Sequence, residues 1–184
     1  MKVVKFGGTS LASGEQLNKV FDIVVSDPQR KIVVVSAPGK RFSSDTKVTD
    51  LLIACGESWL NGACDQYLFD MVIDRYRLIA EDLSISGSVV ERIRADLMEI
   101  LNGDLSDKGQ FMDAVKASGE DNNAKLVAAF FQARGVEAEY MNPHEAGLIV
   151  SDEPGNAQVL AESYANLYHL RNKKGIVIFP GFFG

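Results

Sequence analysis

The sequence predicts an α/β domain, and three observations carry that prediction. A short apolar run at the start (Val3, Val4) and a β-branched run from Ile32 to Val35 flank an amphipathic helical pattern, which is how a βαβ unit reads. A further apolar run, Ile176 to Phe179, stands close to the end of the chain. Each run leads into a glycine-bearing loop: Gly7-Gly8, Pro38-Gly39 and Pro180-Gly181. Ligands of open α/β sheets bind outside the carboxyl ends of the strands, so these loops are the first places to look for a site.

The size agrees with one domain. With 184 residues, 46% hydrophobic and 24% charged, the chain can bury a single core. A net charge of −6 argues against a nucleic-acid partner. No apolar run approaches the roughly 20 residues of a membrane span, and the start is too short for a signal peptide. A cytoplasmic protein without a membrane partner is expected. Cys55 and Cys64, the only cysteines, form no CxxC or Cys/His cluster and are read as buried free thiols of a reducing compartment.

Taken in order, the first strand delivers Lys5 and Phe6 to Gly7 and Gly8. Glycines let backbone N–H groups approach an anion closely, and a helix that follows aims its positive end at the same point. The lysine precedes the glycines, so the spacing is neither that of a P-loop nor of a dinucleotide fingerprint. Ser13 and Gln16 are spaced as a capping box, and Leu17, Val20, Phe21, Val24 and Val25 recur at helical intervals until Asp27-Pro28. After the second strand come Ser36-Ala37-Pro38-Gly39 and a partly basic stretch to Lys47; Lys5, Lys40, Arg41 and Lys47 are candidates for a basic pocket. Thr49 then reads as the N-cap of a helix carrying Leu51, Leu52, Cys55 and Trp59.

From about 63 to 131 the pattern is helical throughout, an insertion between strands. Tyr67, Met71, Val72, Tyr76 and Ile79 suggest one helix; Val89, Val90, Ile93, Leu97 and Ile100 suggest another, closed by Asn102-Gly103. A third begins near Asp107 and is expected to break at Ala117-Ser118-Gly119-Glu120. A fourth, with Ala124, Val127, Ala128 and Phe131 on one face, ends at Arg134-Gly135. Val136, Ala138 and Tyr140 alternate with glutamates as a half-buried strand. A helix with Leu160, Tyr164, Leu167 and Tyr168 follows, with Arg171, Lys173 and Lys174 in its last turn and Gly175 as its C-cap. A last strand with no helix after it suggests a sheet short of partners, with an edge or apolar surface left open.

Without any family knowledge, Lys5-Phe6-Gly7-Gly8 points to anion binding. Ser36 and Thr49 read first as turn and cap residues and only second as ligand contacts. Glu120 either caps a helix or faces a pocket. His144 and His169 lack partner spacing, and Trp59, Phe130 and Phe131 read as core.

Together, Lys5-Phe6-Gly7-Gly8-Thr9-Ser10, Val34-Val35-Ser36-Ala37-Pro38-Gly39-Lys40, Thr49-Asp50, Ser118-Gly119-Glu120 and Gly181-Phe182-Phe183-Gly184 resemble the amino-terminal part of an aspartokinase catalytic domain, in the amino-acid kinase family. The resemblance runs from end to end. It implies a three-layer α/β/α sandwich on a mainly parallel sheet, and transfer of the γ-phosphoryl group of ATP to the side-chain carboxylate of L-aspartate, with Mg²⁺. By carry-over, Lys5 is the catalytic residue at the transferring phosphoryl group. Phe6, Gly7 and Gly8 belong with it at the nucleotide's phosphates, and Ser36, Thr49, Glu120 and Phe182 bind aspartate. No protein metal ligand is implied, and a homodimer is.

The chemistry suits these residue types. A carboxylate with a pKa of about 3.9 is already ionised at neutral pH, so the nucleophile needs no general base. Phosphoryl transfer needs positioning and charge neutralisation, which a lysine and glycine N–H groups supply. Losing one such donor typically costs on the order of 3 kcal/mol. The resemblance also implies that residues 1–184 hold the amino-terminal portion of one catalytic domain. An Arg-Gly-Gly-Ser-Asp type loop, the adenine-binding segment, a second lysine and the regulatory ACT domains are then missing, and negligible kinase activity is expected of this chain alone. The competing readings are an amino-acid kinase acting on glutamate, acetylglutamate, carbamate or a nucleotide, a non-catalytic aspartate- or anion-binding module, and a dehydrogenase, against which the missing GxGxxG weighs.

Overall fold

A computed structural model describes residues 1–182; Phe183 and Gly184 of the terminal glycine loop lie outside the described residues. Strands β1 (Lys2–Phe6), β2 (Arg30–Val35), β3 (Ala138–Tyr140) and β4 (Ile176–Pro180) form a parallel sheet in the order β1-β2-β4-β3. Helices α1 (Gly14–Val25), α2 (Val48–Leu60), α3 (Gln66–Asp82), α4 (Ser88–Leu101), α5 (Lys108–Ala133) and α6 (Glu162–Leu167) make up most of the rest, with 3-10 turns at Gly8–Leu11 and Tyr168–Asn172.

The local signals set many of these boundaries. Ser13 caps α1 by accepting from the Gln16 N–H at 3.4 Å, and Asp65 caps α3 by accepting from Tyr67 at 2.9 Å. Asp107 accepts from Gly109 and Gln110 to start α5. The α2 start differs from the expectation: Lys47 is the N-cap, with no side-chain bond, and Thr49 is the second residue inside the helix. Its backbone start is tied instead by the Val48 N–H donating to the Pro38 carbonyl at 3.0 Å.

The helical stretch is one layer of the fold, with α5 packed on the sheet. The expected break at Ala117–Glu120 does not exist, because α5 runs unbroken through it for 26 residues. A mid-helix glycine costs roughly 1 kcal/mol against alanine, and here tertiary packing requires it. A Cβ on Gly119 would stand 2.8 Å from Leu52 Cδ1 and 3.1 Å from Ala37 Cβ, so its absence lets α5 close onto α2 and the loop after β2.

Parallel register sorts the sheet into two faces. Val33, Val35, Ile176 and Ile178 point into the main core with Trp59, Phe130 and Phe131. On the other face Val3 pairs with Ile32 and Ile32 with Val177, while Lys5 pairs with Val34 and Val34 with Phe179. Leu167, Leu170, Met141 and Ala146 cover Ile32, Val177 and Phe179. That cover stops short of β1, where Val3 is 60% exposed.

The last helix is also rearranged. Of the residues expected in it, Leu160, Tyr164 and Tyr168 face solvent and Leu167 is half-buried, while Ser163 and Leu170 are the buried members. A short helix followed by a 3-10 turn rotates the inward face, since the two have different numbers of residues per turn. The C-cap is Lys173; Gly175 lies beyond it with φ +71°, where a Cβ would collide with the Glu137 carbonyl. Cys55 is buried and free, and burial pushes its thiol up to about 11; Cys64, also free, is exposed, contrary to the expectation for both. Cys64 sits in the exposed α2–α3 connection, where no core element reaches it.

Candidate functional site

The carboxyl ends of β1, β2 and β4 share one edge because the strands are parallel, and backbone hydrogen bonds stitch the loops leaving them. The Ser36 N–H donates to the Phe6 carbonyl at 3.2 Å, the Gly39 N–H to Gly8 at 2.8 Å, and the Gly181 N–H to Val35 at 2.9 Å. Buried Leu11 anchors the 3-10 turn from the core side.

The two opening glycines are glycines for different reasons. At Gly8 a Cβ would stand 2.8 Å from the Ala37 carbonyl oxygen, and at Gly39 one would stand 2.5 Å from the Gly8 carbonyl carbon. Both sites therefore exclude a side chain so that two backbones can touch. At Gly7 nothing lies within 4 Å of a Cβ. That is the open position of the turn, and it leads directly into the amino end of the 3-10 helix. Lys5 is exposed beside it, on the outer face of the sheet.

Gly119 brings the other candidates to the same edge. Its contacts with Ala37, Leu52 and Val48 place Ser36, the start of α2 with half-buried Thr49, and Glu120 around one junction. Glu120 lies inside α5 and caps no helix, and its carboxylate abuts Gly181 at the carboxyl end of β4. Burial pushes its carboxyl above the ordinary value, opposed by the Lys5 ammonium and by the backbone N–H groups of Ala37, Gly181 and Phe182. Its Oε2 is buried with no hydrogen-bond partner among the described residues. A buried acceptor without a protein partner is costly unless water or a ligand group supplies the donor. Phe182 is half-exposed and lines a cavity of about 230 Å³ with Ala117, Ser118, Asp121, Asn142 and Pro180.

The candidate basic pocket is smaller than its four cations suggested. Arg41 is engaged by Asp45, through Nε at 2.8 Å and a terminal nitrogen at 2.9 Å, and exposed Lys47 lies 3.4 Å from Asp50. The Arg41 guanidinium holds the Asp45 carboxyl far below the usual carboxylate range. Lys40 is exposed on the loop after β2, which leaves Lys5 as the cation on the strand edge itself. Among the described residues no group of three or more His, Cys, Asp or Glu could hold a metal ion. No described helix is long and apolar enough to cross a membrane.

Several supporting residues escaped the sequence reading. The Asn123 amide donates to the Ser36 carbonyl at 2.6 Å, the buried Tyr76 hydroxyl donates to the Gly119 carbonyl at 2.8 Å, and buried Arg75 reaches the loop after β2. All three look like ordinary helix residues in one dimension. The only local signal was an arginine within an otherwise apolar stripe, between Ile73 and Tyr76.

The comparisons with known proteins agree with this geometry. The model for the amino acid kinase family matches residues 1–184. The chain is 64% identical to Aspartokinase 3 of Bacillus subtilis (strain 168), over all of this chain and 40% of that protein. It is 29% identical to the Lysine-sensitive aspartokinase 3 of Escherichia coli (strain K12), over 99% of this chain and 40% of that one. Among solved structures, the aspartate kinase of Clostridium acetobutylicum superposes with a TM-score of 0.76 at 30% identity, covering 99% of this chain and 38% of that chain. E. coli aspartokinase III in complex with aspartate and ADP gives 0.77 at 25%, covering 97% and 40%. The chain thus spans about two fifths of these relatives. With its glycine-stitched parallel edge and a family match from first residue to last, the chain belongs to the amino acid kinase family.

Proposed function

We propose that this chain provides the aspartate-binding and phosphoryl-facing part of an aspartate kinase. The activity moves the γ-phosphoryl group of ATP to the side-chain carboxylate of L-aspartate, giving 4-phospho-L-aspartate, the first step toward lysine, threonine and methionine. The observation that supports this reading is that the Lys5 ammonium acts on the Glu120 carboxyl while α5, through Asn123, holds the Ser36 carbonyl, in a chain 64% identical to an aspartokinase.

In this reading Lys5 neutralises charge on the transferring phosphoryl group, and the Gly7-Gly8 turn offers backbone N–H donors beside it, with Phe6 delivering the strand to that turn. Open space at Gly7 and the exposed Lys5 ammonium suit a phosphate. Mg²⁺ arrives on the nucleotide's phosphates and adds further charge neutralisation. Glu120 receives the substrate ammonium, which gives its unpartnered Oε2 a charged donor. Ser36, Thr49 and Phe182 complete the acceptor wall. Residues 1–184 form the amino-terminal portion of the catalytic domain, the protein works in the cytoplasm as a homodimer, and the nucleotide base is held by polypeptide beyond this portion.

Titration calorimetry with L-aspartate and with MgATP tests the assignment on the isolated chain. Aspartate binds, the binding is lost in Glu120→Gln, and MgATP gives no comparable heat; glutamate or carbamate binding as well as aspartate does would sink the substrate choice. A coupled ADP-release assay on the same chain shows no turnover, and turnover abolished by Lys5→Ala would overturn the division of the site between two parts.

A further inference from the structure

Arg75 sits in the middle of α3 with 3% of its surface exposed, yet it reaches neither solvent nor a helix partner. Its guanidinium donates to the Gly39 carbonyl at 2.5 Å and to the Thr46 carbonyl at 3.0 Å, and lies 2.9 Å from Asp45 Oδ2. Those three acceptors bracket the loop that joins β2 to α2. At one foot of the loop the Gly39 N–H holds the Gly8 carbonyl; at the other the Val48 N–H holds Pro38, one residue before Thr49. The next residue of α3, Tyr76, donates to the Gly119 carbonyl, one residue before Glu120.

We infer that Arg75 is a positioning residue of the proposed site: from behind, its planar fork clamps the Gly39–Thr46 loop and thereby sets the Gly8 turn against the start of α2. The inference rests on the aspartate-site reading above for its functional consequence, though not for its structural one. A guanidinium suits the task because it presents five donors in a fixed plane, whereas a lysine offers a single flexible point charge. Arg41 grips the same carboxylate from the exposed side of the loop and cannot replace Arg75, since its hydrogen bonds go to Asp45 and none to the Gly39 or Thr46 carbonyls. Two residues of one α3 turn, Arg75 and Tyr76, thus hold the two walls of the edge in register.

The test compares Arg75→Met and Arg75→Lys with the unmodified chain by two readouts, amide hydrogen exchange and L-aspartate calorimetry. In Arg75→Met, exchange at Gly39 and Val48 accelerates about tenfold, the scale of one charge-assisted hydrogen bond, while the β4 amides from Ile176 to Phe179 keep their rates. Aspartate affinity falls by about the same factor. Arg75→Lys, which keeps the charge and loses the fork, shifts both readouts in the same direction by less, and decides the matter if Arg75→Met does not fold. Unchanged exchange at Gly39 and Val48 overturns the inference, and so does acceleration by one common factor at these amides and in β4, which would mean general loss of stability. If the unmodified chain does not bind aspartate, the functional reading fails, and the exchange pattern still decides whether Arg75 positions the loop.

Discussion

The loops after β1 and β2 meet at the same edge and are held by opposite means. The first is short and is defined by backbone: a 3-10 turn, two glycines and contacts closer than any side chain allows. The second is long, polar and charged, and is defined by side chains, with Asp45 gripped by Arg41 and Arg75 and the carbonyls of Gly39 and Thr46 collected by Arg75. Shape in a short loop can come from steric exclusion, which acts at any pH. A longer loop loses more conformational freedom, and buried charge-assisted bonds supply the offset only while both partners stay ionised.

The sharpest way to break the contrast is at the contact between the loops. Gly39→Ala forces a Cβ to 2.5 Å from the Gly8 carbonyl carbon, and neither backbone can move aside cheaply. A loss of about 1–3 kcal/mol, the range of overpacking, is expected in denaturant unfolding. Gly7→Ala, one residue before Gly8 but facing open space with φ −79°, stays within about 0.5 kcal/mol of the parent. A common cost for both substitutions would contradict the assignment of separate roles.

A smaller effect separates the second loop by pH. The Asp45 carboxyl is held below its ordinary value of 3.8 chiefly by its bond to Arg41, so its folded pKa is depressed. Its contribution is complete above the unfolded value and is lost as pH falls through the folded one. Asp45→Asn is therefore less stable than the parent at neutral pH, and thermal melts of the two draw together in strong acid. A gap independent of pH would show that packing, and not charge, holds the loop.

Glu120 runs in the opposite sense. Burial raises its folded pKa above 4.5, so ionisation costs stability as pH climbs from that value through the raised one. Glu120→Gln raises the melting temperature at neutral pH, and the gain disappears on acidification. A carboxylate that contributed to stability would give a loss instead. The expected trade of stability for a poised charge is what a ligand-facing acid shows.

Much of the fold was legible. Continuous β-branched runs named β2 and β4, the Ser13 cap and the Asp27-Pro28 stop bounded α1, and the glycine loops pointed to the right edge of the sheet. The candidate residues Lys5, Ser36, Thr49 and Glu120 also came from the sequence, in part through family resemblance. What failed did so for nameable reasons. Gly119 read as a helix break because its contacts, Leu52 and Ala37, are distant in the chain. The spacing of Leu160, Tyr164, Leu167 and Tyr168 suggested one helix, but α6 holds only Glu162–Leu167 and passes into a 3-10 turn, and a period does not say where a helix tightens.

By itself, then, the sequence determined the strands, the starts of α1 and α5 and the anion-friendly turn, since each is written in local period, caps and glycine placement. Tertiary structure alone decided that α5 runs unbroken past Gly119, that Gly8 serves loop contact while Gly7 stays open, and that Arg75 holds the loop from behind. Those outcomes depend on close approaches between segments far apart in the chain, and steric exclusion and buried hydrogen bonding act only once the segments have met.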